Sequence, residues 1–149
     1  MSASHDTDST MHPTEITSGQ LQQALTDLFA PWVQALNLHV EDFGPGEATL
    51  RLPQSGQLSR VGGMLCGQAM MAAADTAMVL ALISHFGHFR PCSTVQLSST
   101  FLKPLSGQDA LVTARVLRAG KSMAFGEIDL RGADDGKSVF RASTTYALM

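Results

Sequence analysis

The chain has 149 residues, 44% of them apolar and 15% charged, with a net charge of -3. These values suit one globular domain with a real core and argue against a nucleic-acid binder, which would carry a basic face. Two cysteines, Cys66 and Cys92, point to a reduced compartment, and with no C-x-x-C pair or His/Cys cluster at zinc spacing no structural metal is expected.

Residues 1–17 are polar, with no signal-peptide core and no early basic residues, and read as a disordered tail before a single domain over 18–149. A cytoplasmic location is the expectation. Thr17 or Ser18 caps a helix predicted over Gly19 to Ala35, whose Leu21, Ala24, Leu25, Leu28, Phe29 and Trp32 fall at three-and-four spacing. Pro31 should kink it or end it early. Leu38 to Phe43 and Glu47 to Leu52 alternate in polarity around Gly44-Pro45-Gly46, the pattern of a hairpin. Pro53 to Arg60 is a polar loop.

Gln68 to Ile83 reads QAMMAAADTAMVLALI, with no Gly or Pro and one charged residue, Asp75. Alanine, methionine and leucine favour helix, and a helix apolar on nearly every face is one that other structure wraps. It is short for a membrane span and carries a carboxylate, so no membrane is expected. Burying that carboxylate costs several kcal/mol or more unless it is paired or protonated. Something has to justify it.

Four strands are predicted next, at about Ser93 to Leu102, Ala110 to Ala119, Ser122 to Arg131 and Val139 to Leu148. Turn residues separate them at Pro104 to Gln108, Gly120-Lys121 and Ala133 to Gly136. Short connections imply an antiparallel meander. The whole is an α+β domain whose sheet must curl around the central helix.

The order of elements, A-D-T-A-M at Ala74 to Met78, T-V-Q-L-S-S-T-F-L-K-P at Thr94 to Pro104 and R-V-L-R-A-G-K-S at Arg115 to Ser122 carry a resemblance. Over Leu38 to Met149 the chain resembles the hotdog fold, and within it the PaaI-like acyl-CoA thioesterases. The resemblance implies hydrolysis of acyl-CoA or aryl-CoA thioesters by a homodimer, pairing to a tetramer, with the site at the subunit interface. It implies no metal or redox cofactor; coenzyme A belongs to the substrate. That family opens its central helix with H-G-G. Counting back from Asp75 by the family spacing lands on Cys66-Gly67-Gln68 rather than Val61-Gly62-Gly63, so cysteine replaces the histidine and glutamine the second glycine. The family's upstream asparagine falls near Arg60, and its strand-start serine or threonine matches Thr94.

Each candidate has a plainer alternative. Asp75 is a general base or a nucleophile, or else a carboxylate paired for structure alone. Gly67 offers a backbone N–H to an oxyanion, or serves only a tight turn. Cys66 most simply is a small buried residue at the substrate cleft, without a histidine partner to activate it. Gln68 orients a water or carbonyl, or caps the helix, and Thr94 holds the attacking water or only packs in a strand. Arg90, Lys103, Arg118 and Lys121 are candidates for coenzyme A phosphates, against solvated surface charge. Met64, Met70, Met71 and Met78 fill core or line an adaptable acyl pocket. Two other functions stay open: an acyl-CoA binding or sensing module without hydrolysis, and an enoyl-CoA hydratase. The second is disfavoured because no histidine lies between Gly62 and Ile83.

Overall fold

Thr17 opens the first helix with a reciprocal cap: the Gln20 N–H donates to its hydroxyl, and its own N–H donates to the Gln20 side chain. The computed structural model describes residues 15–149, so most of the expected tail, 1–14, lies outside the described residues. The single helix predicted over Gly19 to Ala35 is in fact two. Helix α1 spans Ser18–Asp27 and the one-turn α2 spans Pro31–Gln34. Pro31 excludes helical backbone at the residue before it, and Ala30 is extended (φ -59°, ψ 151°). Pro31 itself sits at the first helical position, where its missing N–H costs nothing. The predicted apolar stripe is therefore cut. Leu21 and Leu25 are buried, whereas Leu28 is 40% and Trp32 63% exposed.

Strands β1 (His39–Gly44) and β2 (Glu47–Leu52) form the predicted hairpin, and the loop after it contains one 3-10 turn at Gly56–Leu58. Helix α3 follows over Gly67–Phe86, longer at both ends than the periodicity alone indicates. It stops at Gly87, whose φ of 82° is a left-handed conformation that glycine adopts without penalty. By length and composition α3 could cross a membrane. It does not lie as a span: Ala73, Ala74, Ala77, Met78, Leu80 and Ala81 are fully buried against β2 and the strands beyond it. Gly126 lets the sheet come this close, since a Cβ there would stand 2.4 Å from Met78 Cε.

The remaining strands are β3 (Cys92–Phe101), β4 (Ala110–Ala119), β5 (Met123–Gly132) and β6 (Ser138–Leu148). All pairings are antiparallel, in the order β1-β2-β4-β5-β6-β3. The predicted four-strand meander is thus corrected: β4, β5 and β6 form it, but β3 pairs with β6 and closes the far edge. The chain between β3 and β4, residues 102–109, is not a tight turn. It must recross three strand spacings, about 14 Å, and eight residues can extend roughly 26 Å. Leu105 pins the crossing. Its side chain is buried, and its carbonyl accepts from the Leu65 N–H at 2.8 Å, which ties the crossing loop to the entrance of α3.

Candidate active site

Asp75 lies midway along α3, on the side facing β3 and β6. The Thr94 hydroxyl, on β3, donates to its Oδ1 at 2.9 Å. From β6 the Tyr146 hydroxyl reaches the same Oδ1 and also stands 2.9 Å from the Asp75 carbonyl oxygen. Oδ2 accepts no hydrogen bond among the described residues, and it is not among the buried unpartnered atoms, so it faces open space. That space is a cleft of about 240 Å³ lined by Phe29, Trp32, Val33, Val79, Cys92 and Thr94 as well as Asp75. One carboxylate oxygen is clamped and the other is presented. The costly aspartate is therefore held by two hydroxyl donors, and among the described residues no cation pairs with it.

Two neighbours feel this carboxylate. Burial pushes the Tyr146 phenol far above the ordinary tyrosine range, and the Asp75 charge adds to the shift. Burial likewise raises the Cys92 thiol, again with Asp75 adding, while Arg90 opposes it. Alkylation of Cys92 by iodoacetamide, followed in a Cys66→Ser background, is therefore expected to be slower at pH 8 than for a free cysteine. Asp75→Asn should speed it by removing the charge that adds to the effect of burial. An unchanged rate in Asp75→Asn would separate the two groups.

Tyr146 was not foreseen. It is the one tyrosine of the chain, but in an alternating strand it looks like any inward aromatic, and only 2% of its surface is exposed. Nothing local in the sequence marks its hydroxyl. Tyr146→Phe removes a hydrogen bond to a charged group, and a loss of about 1.5–3 kcal/mol in stability is expected. The pH dependence gives the sign. The folded phenol keeps its proton above the ordinary tyrosine value of 10.0, while the unfolded one loses it there. Its stabilising contribution is present below pH about 10 and declines above it. Denaturant melts of the Phe variant should lack that part of the alkaline decline.

Gly67 begins α3 directly after the N-cap residue, Cys66, which makes no side-chain capping bond. The first N–H groups of a helix have no partner within it, and among the described residues those of Gly67 and Gln68 have none outside it. The ring of Phe101, at the end of β3, covers Gly67: a Cβ there would meet it at 3.1 Å. Beside this lies an open cleft of about 460 Å³ lined by Arg60, Met64, Gly67, Met70, Phe101 and Lys103. Gln68 is exposed and does not cap the helix.

The predicted residues thus fall into two groups in one chain. Gly67, Cys66, Gln68 and Lys103 stand at the start of α3; Asp75 and Thr94 stand at its middle. Eight residues of helix separate Gly67 from Asp75, about 12 Å of rise. The four predicted cations do not share one mouth either. Arg90 lies 4.9 Å over the Phe86 ring and its guanidinium donates to the Lys121 carbonyl at 3.2 Å, near the far end of α3. Arg118, on β4, sits opposite Phe125.

A six-stranded antiparallel sheet curled on one long buried helix, with the edge strand returned beside the last, is the hotdog fold. A family model for the thioesterase superfamily matches residues 62–139, more than half of the chain, and the chain belongs to that superfamily. Human acyl-coenzyme A thioesterase 13 is 27% identical over 105 residues, covering 70% of this chain and 74% of that protein. Among solved structures, zebra fish thioesterase superfamily member 2 superposes with a TM-score of 0.81 at 24% identity, covering 91% of this chain and 100% of that one. The Escherichia coli PaaI protein gives 0.76 at 20%, covering 89% and 93%. The two structural likenesses bear on fold. Membership of the superfamily supports thioester hydrolysis as the class of reaction.

Proposed function

We propose that the protein is a cytoplasmic enzyme that hydrolyses acyl-CoA or aryl-CoA thioesters to the free acid and coenzyme A, with Asp75 as its catalytic carboxylate. The observation that carries this reading is the asymmetric holding of Asp75: Oδ1 bound by Thr94 and Tyr146, Oδ2 free at a cleft. A carboxylate so held can accept a proton from water as the water attacks the thioester carbon. The oxygen of the carbonyl then gains charge, and an unpartnered N–H at a helix start is suited to receive it. Collapse of the tetrahedral intermediate breaks the C–S bond and expels the coenzyme A thiolate, which takes the proton that Asp75 accepted from water. Direct attack by Oδ2, with an anhydride then hydrolysed, is the other route open to the same atom. Neither route changes an oxidation state, and coenzyme A enters only as part of the substrate.

The separation of Gly67 from Asp75 supports a site shared by two copies. Among the described residues strand β3 pairs with β6 alone, which leaves its outer edge open, and it carries exposed Val95 and Phe101, an arrangement that invites a second strand. It bears Thr94, bonded to Asp75, near one end and Phe101, over Gly67, at the other. Antiparallel pairing of β3 with its copy brings the Asp75 end of one chain to the Gly67 end of the other. We propose this homodimer, pairing further to a tetramer, as the active form. Arg60 and Lys103 beside Gly67 then suit the phosphates of coenzyme A.

The test is release of free thiol from a panel of short, medium, long and aromatic acyl-CoAs. Turnover of at least one class is expected. A second reading is favoured by Cys66 in the place of the family histidine: acyl-CoA binding without hydrolysis. Saturable binding across the panel with no thiol released would establish that reading in place of the first.

A further inference from the structure

The cleft at Asp75 has a second character that hydrolysis alone does not require. Beside the polar groups of Asp75, Ser93, Thr94 and Tyr146 it has an apolar wall of Phe29, Trp32, Val33 and Val79. Trp32 is 63% exposed, an unusual position for a residue that is highly buried on average. It is held there by the break at Ala30-Pro31, which turns α2 away from the core stripe of α1. At about 240 Å³ the cleft is smaller than the roughly 300–1,000 Å³ of sites that enclose a whole drug-sized ligand. It is larger than the about 150 Å³ apolar cavity that suffices for a benzene ring. In one chain, before a second copy closes over it, that is room for one compact acyl group at the Asp75 end.

Resting on the proposed thioesterase reading, we infer that this wall is the acyl subsite, and that Trp32 with Phe29 selects a flat aromatic acyl group over a linear one. The carboxyl carbon lies at Asp75 and the ring lies against the two aromatic side chains, where stacking adds to burial. Trp32 is a specificity-determining residue in this account. It takes no part in bond making.

Trp32 is also the one tryptophan in the chain, so its fluorescence reads the cleft without any turnover. Titration of the full chain with the neutral 3-phenylpropanamide is expected to change the emission saturably, hexanamide at equal concentration to change it less, and coenzyme A alone not to change it. No response to 3-phenylpropanamide overturns the inference, as does an equal response to all three. So does emission that changes only with protein concentration, which would make Trp32 a contact between copies. For catalysis, Trp32→Ala should lower the ratio of kcat/KM for phenylpropanoyl-CoA over hexanoyl-CoA about ten-fold, and Trp32→Phe should keep most of that preference. A ratio unmoved in Trp32→Ala overturns it. If no thioester is cleaved, the proposed function fails, and the fluorescence titration still decides the subsite.

Discussion

Asp75→Asn is expected to lower turnover of acyl-CoA by about 10²–10⁴-fold, the range that a positioned general base supplies. Asparagine is nearly isosteric, and its amide oxygen can accept from Thr94 and Tyr146 as Oδ1 does now. The clamp survives, and what disappears is the proton acceptor at Oδ2. The expected signature is therefore a fall in kcat with KM changed little, and a thermal midpoint close to that of the parent. Alanine is the coarser variant, because it also leaves the Tyr146 hydroxyl with only the backbone carbonyl of residue 75. Thiol-release kinetics across the acyl-CoA panel measure both. Undiminished turnover in Asp75→Asn would remove the carboxylate from the chemistry.

The second large effect is expected at Gly67. Replacing it by proline deletes the backbone N–H and adds a ring on the side that Phe101 covers. Gly67 is the first helical residue, the position where proline is most readily accepted. The residue before it, Cys66, already has the extended backbone (ψ 149°) that a following proline demands. The added ring must displace Phe101, whose side chain lies at an exposed edge. Loss of one oxyanion donor costs about 10²–10³ in kcat, and that is the decrease expected for Gly67→Pro. Gly67→Ala keeps the N–H and should retain most of the activity. A proline variant as active as the alanine variant would reduce Gly67 to a packing residue.

The parts of this protein that were legible from sequence are those governed by local pattern. Strands β2 and β4 were readable residue for residue, because alternation and turn chemistry bound them on both sides. Asp75 stood out for a different local reason: a charge in a run of alanine and methionine has a cost that composition alone exposes. Pairing partners are another matter. Nothing in Cys92–Phe101 says that it lies beside β6 rather than β4; that choice follows from closing the sheet around α3 and from Leu105 anchoring the crossing. The spacing of Trp32 continues the apolar stripe of α1, but Pro31 ends that continuity and Trp32 is exposed. Tyr146 was missed because an inward tyrosine in a strand is ordinary until its hydroxyl is found on a carboxylate 71 positions earlier. Cys66-Gly67-Gln68 as the helix mouth came from the family spacing, and α3 does begin at Gly67.

One measurement addresses the shared site most directly. Asp75→Asn and Gly67→Pro chains, each nearly inactive alone, are unfolded, mixed and refolded together. In a mixed dimer one of the two sites joins Gly67 of the first chain to Asp75 of the second, and both are intact. Recovery of thiol release to a substantial fraction of the parent activity is the predicted result. A mixture no more active than the sum of its parts, with mixed dimers demonstrably present, would contradict a site built from Asp75 of one copy and Gly67 of another.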